Sequence, residues 1–191
     1  NYPVFVASLY KSGTTTIHSY FKCGGQESVH YKPDTGGPRT GPCLQRRIQN
    51  KMYPVFQGCG GDTVDIDTDN AYLNSPKSCF DPSVHGLGAI YESYPNATIL
   101  LATRNVDKWV DSVDRYRFGK LSFLQDCPDL WPTQQEEIGN RKLNRTDIRN
   151  FYLWHTNHVR AFAKAHPSMT YIEVELESEE TASVLEELYL Y

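Results

Sequence analysis

Two polar clusters in the sequence have residue types suited to binding phosphate or sulfate. The first combines a lysine, a serine, a glycine and three threonines: Lys11, Ser12, Gly13, Thr14, Thr15 and Thr16. Gly13 permits a tight turn, and a helix that begins there presents free backbone N–H groups to an anion. Lys11 precedes Gly13 instead of following it, so the cluster is not a Walker A motif, GxxxxGK[ST].

The second cluster is Arg104 together with Ser112, which lies eight residues further along the chain. A guanidinium group binds two oxygens of one phosphate, and a serine hydroxyl in the following helix can share that phosphate. The sequence therefore contains a lysine-bearing loop and an arginine–serine pair as two candidate anion-binding elements.

Each cluster follows a segment with the pattern of a buried strand. Residues 4–9 form a short apolar run, and residues 98–103 (TILLAT) are apolar between polar neighbours. A helical stripe of apolar residues follows each cluster, and the first stripe ends at Gly24-Gly25. Ligands of an open parallel sheet lie at the carboxyl ends of its strands, so both clusters are predicted at such ends.

The predicted order of elements is β-α-irregular-α-β-α-α-β-α, which indicates an α/β fold with three α/β/α layers and a mostly parallel central sheet. Residues 24–85, rich in Cys, Gly and Pro, are predicted as an irregular insertion with short strands at 55–56 and 64–66. Near the C-terminus we predict a long helix capped by Thr146, a strand over 169–174 and a helix capped by Ser178. The length favours a single domain over 1–191.

These residues resemble those of the sulfotransferase family. The run 11–15, KSGTT, is similar to the family's 5′-phosphosulfate loop, and Arg104 with Ser112 is similar to its 3′-phosphate clamp. The stretch 94–105, YPNATILLATRN, resembles the family's YPNAKIILTVRN, and Trp109 with Ser112 fits the W..S that often follows. The resemblance implies a sulfotransferase with a P-loop NTPase-like fold.

The resemblance also implies the donor 3′-phosphoadenosine 5′-phosphosulfate (PAPS), with 3′-phosphoadenosine 5′-phosphate (PAP) as product. Lys11 would neutralise the 5′ side and polarise the bridging oxygen of the leaving phosphate. Residues 12–16 would hold that phosphate, and Arg104 with Ser112 would bind the 3′-phosphate that distinguishes PAPS from ATP. The expected acceptor is a hydroxyl or amine of a glycan or small molecule, which attacks sulfur in line with the help of a base.

The general base is expected between the two clusters, where the family uses a histidine or an acidic residue. Alternation in an extended segment places Asp65, Asp67 and Asp69 on one face. We favour Asp67 as the base and Asp65 after it, with His85 and His30 as rivals. A solvated acidic loop is the alternative for this segment.

Two other functions remain open at this point. A small-molecule kinase-like P-loop transferase is disfavoured by the order of Lys11 and Gly13 and by the lack of an evident Mg²⁺-binding partner. A catalytically silent nucleotide-binding domain would retain Lys11, Arg104 and Ser112 but lack a base. The glutamates at 173, 175, 177, 179 and 180 are interpreted as a solvated acidic run.

Composition limits the partners and the compartment. The net charge of −4 argues against a nucleic-acid partner, and no apolar stretch is long enough to span a membrane. The five cysteines are odd in number and have no CxxC spacing, so we expect no metal site, one or two disulfides and one thiol. With sequons at Asn96 and Asn144 they favour the secretory pathway and the Golgi lumen over the cytosol. Because the sequence begins at Asn1 and not at Met, we interpret it as an excised or processed portion of a longer polypeptide.

Overall fold

The described residues form a sheet of five parallel strands, in the spatial order Ser28–Val29, Ile66–Asp67, Val4–Val6, Thr98–Thr103 and Thr170–Glu175. The computed structural model describes residues 3–30, 36, 39–59, 66–67, 79–115, 127, 130 and 143–189. Its strands are β1 (Val4–Val6), β2 (Ser28–Val29), β3 (Ile66–Asp67), β4 (Thr98–Thr103) and β5 (Thr170–Glu175). The predicted α/β class with a parallel sheet is confirmed.

Six helices, numbered in chain order among the described residues, accompany the sheet. They are α1 (Thr14–Cys23), α2 (Thr40–Gln49), α3 (Leu87–Ser93), α4 (Val106–Arg115), α5 (Arg145–Ala165) and α6 (Thr181–Tyr189). A π-helical turn, Pro82–Gly86, runs directly into α3. The strands thus alternate with helices, as parallel connections require.

Alternation of side chains along the strands divides the core between the two faces of the sheet. On one face, Phe5, Ile99 and Leu101 pack in one buried cluster with residues of α2, α3 and α5. On the other face, Val6 and Leu100 pack with residues of α1 and α6. The helices that cover the two faces contribute Leu44, Ile90 and Val159 to the first cluster, and Ile17, Phe21 and Leu185 to the second. This arrangement is the expected three-layer fold.

A third apolar cluster lies at the carboxyl end of β1. Leu9 and Tyr10 of the loop after β1 pack there with Trp109 of α4 and with Phe151 and Tyr152 of α5. Helices α4 and α5 therefore pack directly against the loop after β1, which contains Lys11 and Gly13. Burial of these large side chains, at roughly 25 cal/mol per Å² of apolar surface, fixes the loop to the body of the protein.

The region predicted as an irregular insertion contributes regular structure to the fold. Residues 24–85 contain β2, α2, β3 and most of the π-helical turn. The predicted strand at 55–56 is wrong, because these two buried residues lie in a turn. The predicted strand at 64–66 is met by β3 at Ile66, whereas residues 64 and 65 lie outside the described residues.

Two predicted helix caps are wrong. Asn144, not Thr146, caps α5: its side chain accepts hydrogen bonds from the N–H groups of Thr146 and Asp147 at 2.8 and 3.1 Å. The Asp147 carboxylate in turn accepts from the Asn144 N–H at 2.7 Å, which completes a capping box. The last helix begins at Thr181 and not directly after Ser178, because residues 176–180 form turns.

The described cysteines form two disulfides and leave one thiol, as expected. Cys43 pairs with Cys59, Cys79 pairs with Cys127, and Cys23 is exposed. Both sequon asparagines, at 96 and 144, are also exposed. None of the helices in the described part of the chain is long and apolar enough to cross a bilayer.

We predict that the Cys43–Cys59 bridge contributes measurably to stability. The double variant Cys43→Ser/Cys59→Ser should lose about 3 kcal/mol of unfolding free energy, because the bridge closes a loop with a sequence separation of 16. Urea denaturation of the oxidised protein measures this loss. Cys23→Ser is the matched control and should change stability by less than about 0.5 kcal/mol. Equal stability of the double variant and the wild type would contradict the prediction.

Candidate active site

The loop after β1 takes an anion-binding shape through two left-handed residues. Lys11 has a φ of 66° and Gly13 a φ of 82°. The Gly13 carbonyl accepts hydrogen bonds from the N–H groups of Thr16 and Ile17 at 2.9 and 3.1 Å, and no side chain caps α1. Because the first N–H groups of a helix have no intrahelical acceptor, this loop offers donors to an anion.

Gly13 is required for space as well as for its φ. A Cβ atom on Gly13 would lie 2.0 Å from Cδ1 of Leu176. The N–H of Leu176 donates to the carbonyl of Thr103 at 3.0 Å, so the backbone of this leucine is fixed beside β4, and only its side chain can shift. The glycine therefore allows the segment after β5 to close against the start of α1.

The side chains of the loop differ in exposure. Lys11 is half-buried, Ser12 and Thr14 are buried, and Thr15 and Thr16 are exposed. The Ser12 hydroxyl makes no hydrogen bond of ordinary geometry within the described part of the structure. A buried hydroxyl without a partner is uncommon, so Ser12 is positioned to donate to or accept from a bound group.

Tyr152 of α5 holds the backbone after β4 in place. Its hydroxyl accepts from the N–H of Arg104 at 2.9 Å and donates to the carbonyl of the same residue at 3.0 Å. Burial raises the pKa of this hydroxyl, and the Arg104 backbone and the nearby Ser12 hydroxyl offset part of the increase. The phenol therefore stays protonated at neutral pH and keeps both hydrogen bonds.

The guanidinium of Arg104 reaches the loop after β1. Its Nη1 donates to the Lys11 carbonyl at 3.2 Å, and its Nη2 to Oε1 of Glu177 at 2.7 Å. The Nε atom is buried and has no hydrogen-bond partner among the described residues. Adjacent parallel strands β1 and β4 thus bring the two predicted anion-binding clusters into direct contact.

Trp109, which the sequence motif singled out, anchors α4 to the same loop. It is fully buried, and its Nε1 donates to the Tyr10 carbonyl at 2.9 Å. Its ring lies 4.8 Å from that of Tyr152, centroid to centroid. Ser112, three residues further along α4, is half-buried. The arrangement keeps the helix that carries Ser112 against the Lys11 loop.

Asp67 lies at the carboxyl end of the described part of β3, opposite Val29 of β2 and Phe5 of β1. The register therefore places the residues after Asp67 at the sheet edge that the Lys11 loop occupies. Asp65 and Asp69 lie outside the described residues. Asp67 remains our predicted base, and the position of its backbone at this edge of the sheet agrees with that prediction.

His30 directly follows β2 and lies beside the first turn of α1. Its Nε2 is 3.4 Å from Oγ1 of Thr15, and its ring centroid is 5.5 Å from that of His18. His18 Nδ1 is hydrogen-bonded to Oγ of Ser28 at 2.8 Å. Burial and the neighbouring His18 lower the pKa of His30 to about 4, so His30 is neutral at physiological pH and able to accept a proton.

His85, the other rival base, lies in a separate polar cluster. It is exposed in the π-helical turn, stacks on Phe80 and is 3.2 Å, through Nδ1, from the backbone carbonyl of Asp81. Nearby, the Ser83 hydroxyl lies 2.6 Å from Asp81 Oδ1 and 2.7 Å from His155 Nε2. None of the contacts described for His85 involves the Lys11 loop.

The cluster of Asp81, Ser83 and His155 contains the residue types of a catalytic triad but does not have its geometry. In a catalytic triad the histidine lies between the other two, whereas here the buried Ser83 hydroxyl joins buried Asp81 to buried His155. The Asp81 side chain also accepts from the Ser83 N–H, which caps the π-helical turn. Burial lowers the pKa of His155 to about 3, so this imidazole is uncharged at neutral pH.

The contacts of Tyr152 and Glu177 were missed by sequence reasoning. Tyr152 is on the apolar stripe of a helix. This pattern predicts that the ring is packed in the core, but it does not show whether the hydroxyl also forms hydrogen bonds. Glu177 is part of the acidic run interpreted as solvated, but it forms ion pairs with Arg104 and Lys108. Among the side chains that the structure describes, no group of three or more His, Cys, Asp or Glu is placed to hold a metal ion.

We predict that Gly13→Ala is more destabilising than Gly25→Ala. Both glycines have a left-handed φ, but a Cβ on Gly25 would meet nothing within 4 Å. Gly25→Ala should therefore cost about 1 kcal/mol, and Gly13→Ala about 2–4 kcal/mol because the new methyl overlaps Leu176. Denaturant melts of the two variants measure the difference. Equal losses would show that contact with Leu176 does not constrain the loop.

Comparison with known proteins adds evidence to this geometry. A family model described as a sulfotransferase domain matches residues 3–178, which include both predicted anion-binding clusters and all five of the strands described above. A comparison with curated proteins gives no match. Since the family model covers most of the chain, the protein belongs to the sulfotransferase domain family.

Proposed function

We propose that the protein transfers a sulfuryl group from PAPS to a hydroxyl or amine of a glycan or small-molecule acceptor, releasing PAP. The observation that supports this most strongly is the hydrogen bond from Arg104 to the Lys11 carbonyl. This bond joins the Arg104 guanidinium to the Lys11 loop, and we propose that each of the two binds one phosphate of the nucleotide. A nucleotide that carries phosphate groups at both its 3′ and 5′ positions matches this pair of sites.

The polar groups of the site fit such a nucleotide. The loop offers N–H groups at the start of α1, the Thr14, Thr15 and Thr16 hydroxyls, and the buried Ser12 hydroxyl, which makes no hydrogen bond of ordinary geometry among the described residues. Arg104 offers its buried Nε, which has no acceptor among the described residues. We assign the 5′-phosphosulfate to the loop, and the 3′-phosphate to Arg104 and Ser112.

The chain's own residues have three tasks in the proposed reaction. PAPS supplies a sulfuryl group bound to a phosphate leaving group. Lys11 and the loop N–H groups stabilise the charge that grows on that phosphate as its bond to sulfur breaks. A base removes the proton from the acceptor oxygen or nitrogen as the new bond to sulfur forms. Alignment and charge stabilisation account for most of the catalysis in transfers of this kind.

Three residues are candidates for the base. Asp67, with Asp65 as its alternative, is the assignment that the sequence favours. His30 is supported by its place after β2 and its approach to Thr15, although its lowered pKa makes it a weaker base than an ordinary imidazole. A neutral imidazole accepts a proton directly, and the hydrogen bond between His18 and Ser28 holds the neighbouring ring in place.

The two disulfides suit an oxidising compartment. We propose the secretory pathway, in the Golgi lumen, as the site of action, with glycans on Asn96 and Asn144. The kinase-like transferase is the less favoured alternative, because Lys11 precedes Gly13 and the loop is therefore not a Walker A motif. The catalytically silent nucleotide-binding domain differs from our proposal in lacking transfer, so activity separates the two.

We predict that PAP stabilises the protein against heat and that ATP–Mg²⁺ does not. At a hundred times its dissociation constant PAP should add about 2.7 kcal/mol to the unfolding free energy. Lys11→Ala and Arg104→Ala should each reduce this stabilisation, because each removes a positive charge from a phosphate. Thermal shift with PAP, ATP–Mg²⁺ and buffer measures both effects.

Lys164→Ala serves as the charge-matched control, since Lys164 is an exposed residue near the end of α5. This variant should respond to PAP as the wild type does. The proposed donor is wrong if the wild type gains no stability from PAP. A larger response to ATP–Mg²⁺ than to PAP would favour the kinase-like alternative.

We predict that Asp67→Asn binds PAP normally but transfers sulfate at least about 100-fold more slowly, because general base catalysis typically contributes that factor or more. Labelled PAPS with phenol, sterol and glycan acceptors measures transfer. If Asp67→Asn keeps full activity, Asp65 and His30 become the candidates. If His30 is the base, His30→Gln removes transfer, and wild-type activity falls only as the pH drops through about 4, where the imidazole becomes protonated.

A further inference from the structure

A single carboxylate joins the two cations at the proposed 3′-phosphate site. Glu177, which follows β5, accepts from Arg104 Nη2 through Oε1 at 2.7 Å and from Lys108 Nζ through Oε2 at 3.0 Å. Lys108 is in the first turn of α4. The two cations lower the pKa of Glu177, Lys108 more than Arg104, so Glu177 is ionised at neutral pH. The negatively charged side chain of Glu177 therefore lies between the positive charges of Arg104 and Lys108.

The three side chains differ in how firmly they are held. Arg104 is 22% exposed, Glu177 31% and Lys108 62%. The hydrogen bonds of Arg104 with the Lys11 carbonyl and with Tyr152 do not involve the carboxylate. Glu177 can therefore turn into solvent without opening the core, while the guanidinium keeps its place. Ion pairs at exposed positions are weak and are easily replaced.

The carboxylate does not satisfy all the donors around it. Each of its oxygens is used by one cation, and Arg104 Nε stays buried without an acceptor among the described residues. A phosphate group has three terminal oxygens and a charge near −2, so it can bind both cations and this remaining donor at once. A phosphate is therefore a better partner for this corner than Glu177.

The helix geometry connects this corner to Ser112. Lys108 and Ser112 are four residues apart in α4, which places them on the same face of the helix. An anion bound between Arg104 and Lys108 therefore lies along the face that carries the serine hydroxyl. The sequence motif names only Arg104 and Ser112, whereas the structure adds a lysine between them.

We propose that Glu177 occupies the 3′-phosphate position in the ligand-free protein, and that Lys108 is a further cation of that subsite. The inference rests on the proposed use of PAPS. Binding of PAPS or PAP then requires Glu177 to leave, because its charge would repel the phosphate. Glu177 lowers the affinity for 3′-phosphorylated nucleotides alone, since a nucleotide without that phosphate leaves the ion pairs intact. Donor and product are both weakened, because each has a 3′-phosphate.

Calorimetric titration with PAP and with adenosine 5′-monophosphate, which lacks the 3′-phosphate, tests the proposal. Glu177→Gln should bind PAP about fivefold more tightly than the wild type, equivalent to about 1 kcal/mol, with unchanged affinity for the monophosphate. Adding Lys108→Gln to that variant should weaken PAP binding about fivefold, again without effect on the monophosphate. The double variant isolates the lysine, because Glu177 no longer competes.

Glu173→Gln is the matched control. It removes a carboxylate of β5 that pairs with Arg160 and has no described contact with Arg104 or Lys108, so it should leave both affinities unchanged. Thermal melts confirm that each variant is folded, and Glu177→Ala, expected to behave as Glu177→Gln does, is the substitute if the glutamine variant is unstable.

The outcomes separate the inference from the function on which it rests. Tighter PAP binding by Glu177→Gln, with an unchanged monophosphate, supports the competition. The inference is overturned if PAP binds the wild type but no more tightly to Glu177→Gln, or if both nucleotides gain equally. It is also overturned for Lys108 if the double variant binds PAP as well as Glu177→Gln does. Failure of wild type and variants alike to bind PAP instead removes the proposed function.

Discussion

The position of the Arg104 guanidinium is the constraint on which the rest of the site depends. It donates to the Lys11 carbonyl at 3.2 Å, so the end of β4 and the loop after β1 cannot move independently. Tyr152 restrains the other side of the same residue, because one hydroxyl accepts from its N–H and donates to its carbonyl. Rotation of the backbone at Arg104 would break both hydrogen bonds at once. The two elements that we propose as phosphate-binding are thereby held at a fixed separation before any ligand arrives, which favours preorganised binding.

Helices α4 and α5 have a direct part in this arrangement. Trp109 comes from α4 and Tyr152 from α5, and their rings pack 4.8 Å apart at the centre of one apolar cluster. The indole also donates to the Tyr10 carbonyl. Trp109 and Tyr152 therefore have two roles: their rings pack in the core, and their polar atoms hold backbone groups of the site in place. A loss of packing in this cluster would move the loop and the guanidinium together.

Much of the fold could be predicted from the sequence because its central strands are strongly patterned. The apolar runs before the two polar clusters become β1 and β4, and buried strands of a parallel sheet have that composition. Helix α2 was missed because its first residues, Thr40-Gly41-Pro42, look like a turn, although proline is well tolerated in a first helical turn. The cap of α5 was misplaced because Asn144 and Thr146 are both good capping residues, and only the observed hydrogen bonds distinguish them.

The parts of the candidate site that depend on contacts between residues far apart in the sequence were harder to predict. The loop and Arg104 have local patterns, since residue types and spacing identify them. The contacts of Tyr152 with Arg104 and of Glu177 with Lys108 join residues that are 48 and 69 positions apart in the chain. No local pattern specifies such pairs, because they arise from the order of strands in the sheet. The aspartates proposed as bases have a clear alternation in sequence, but alternation alone does not say which of them faces a substrate.

Charge pairing explains how an acidic chain can offer a site for an anion. Three aspartates lie on α4, the helix that carries Ser112, and would otherwise repel a phosphate bound beside it. Two arginines of α5 pair with them: Arg145 with Asp111 and Asp114, and Arg149 with Asp107. The same packing of α5 on α4 that buries Trp109 therefore also neutralises the acidic face of α4. At physiological ionic strength charges further than about 8 Å away are largely screened, so the net charge of −4 matters less than the local balance. Near Arg104 that balance is set by Lys108 and Glu177, which makes the single carboxylate at this corner the group best placed to control the binding of an anion.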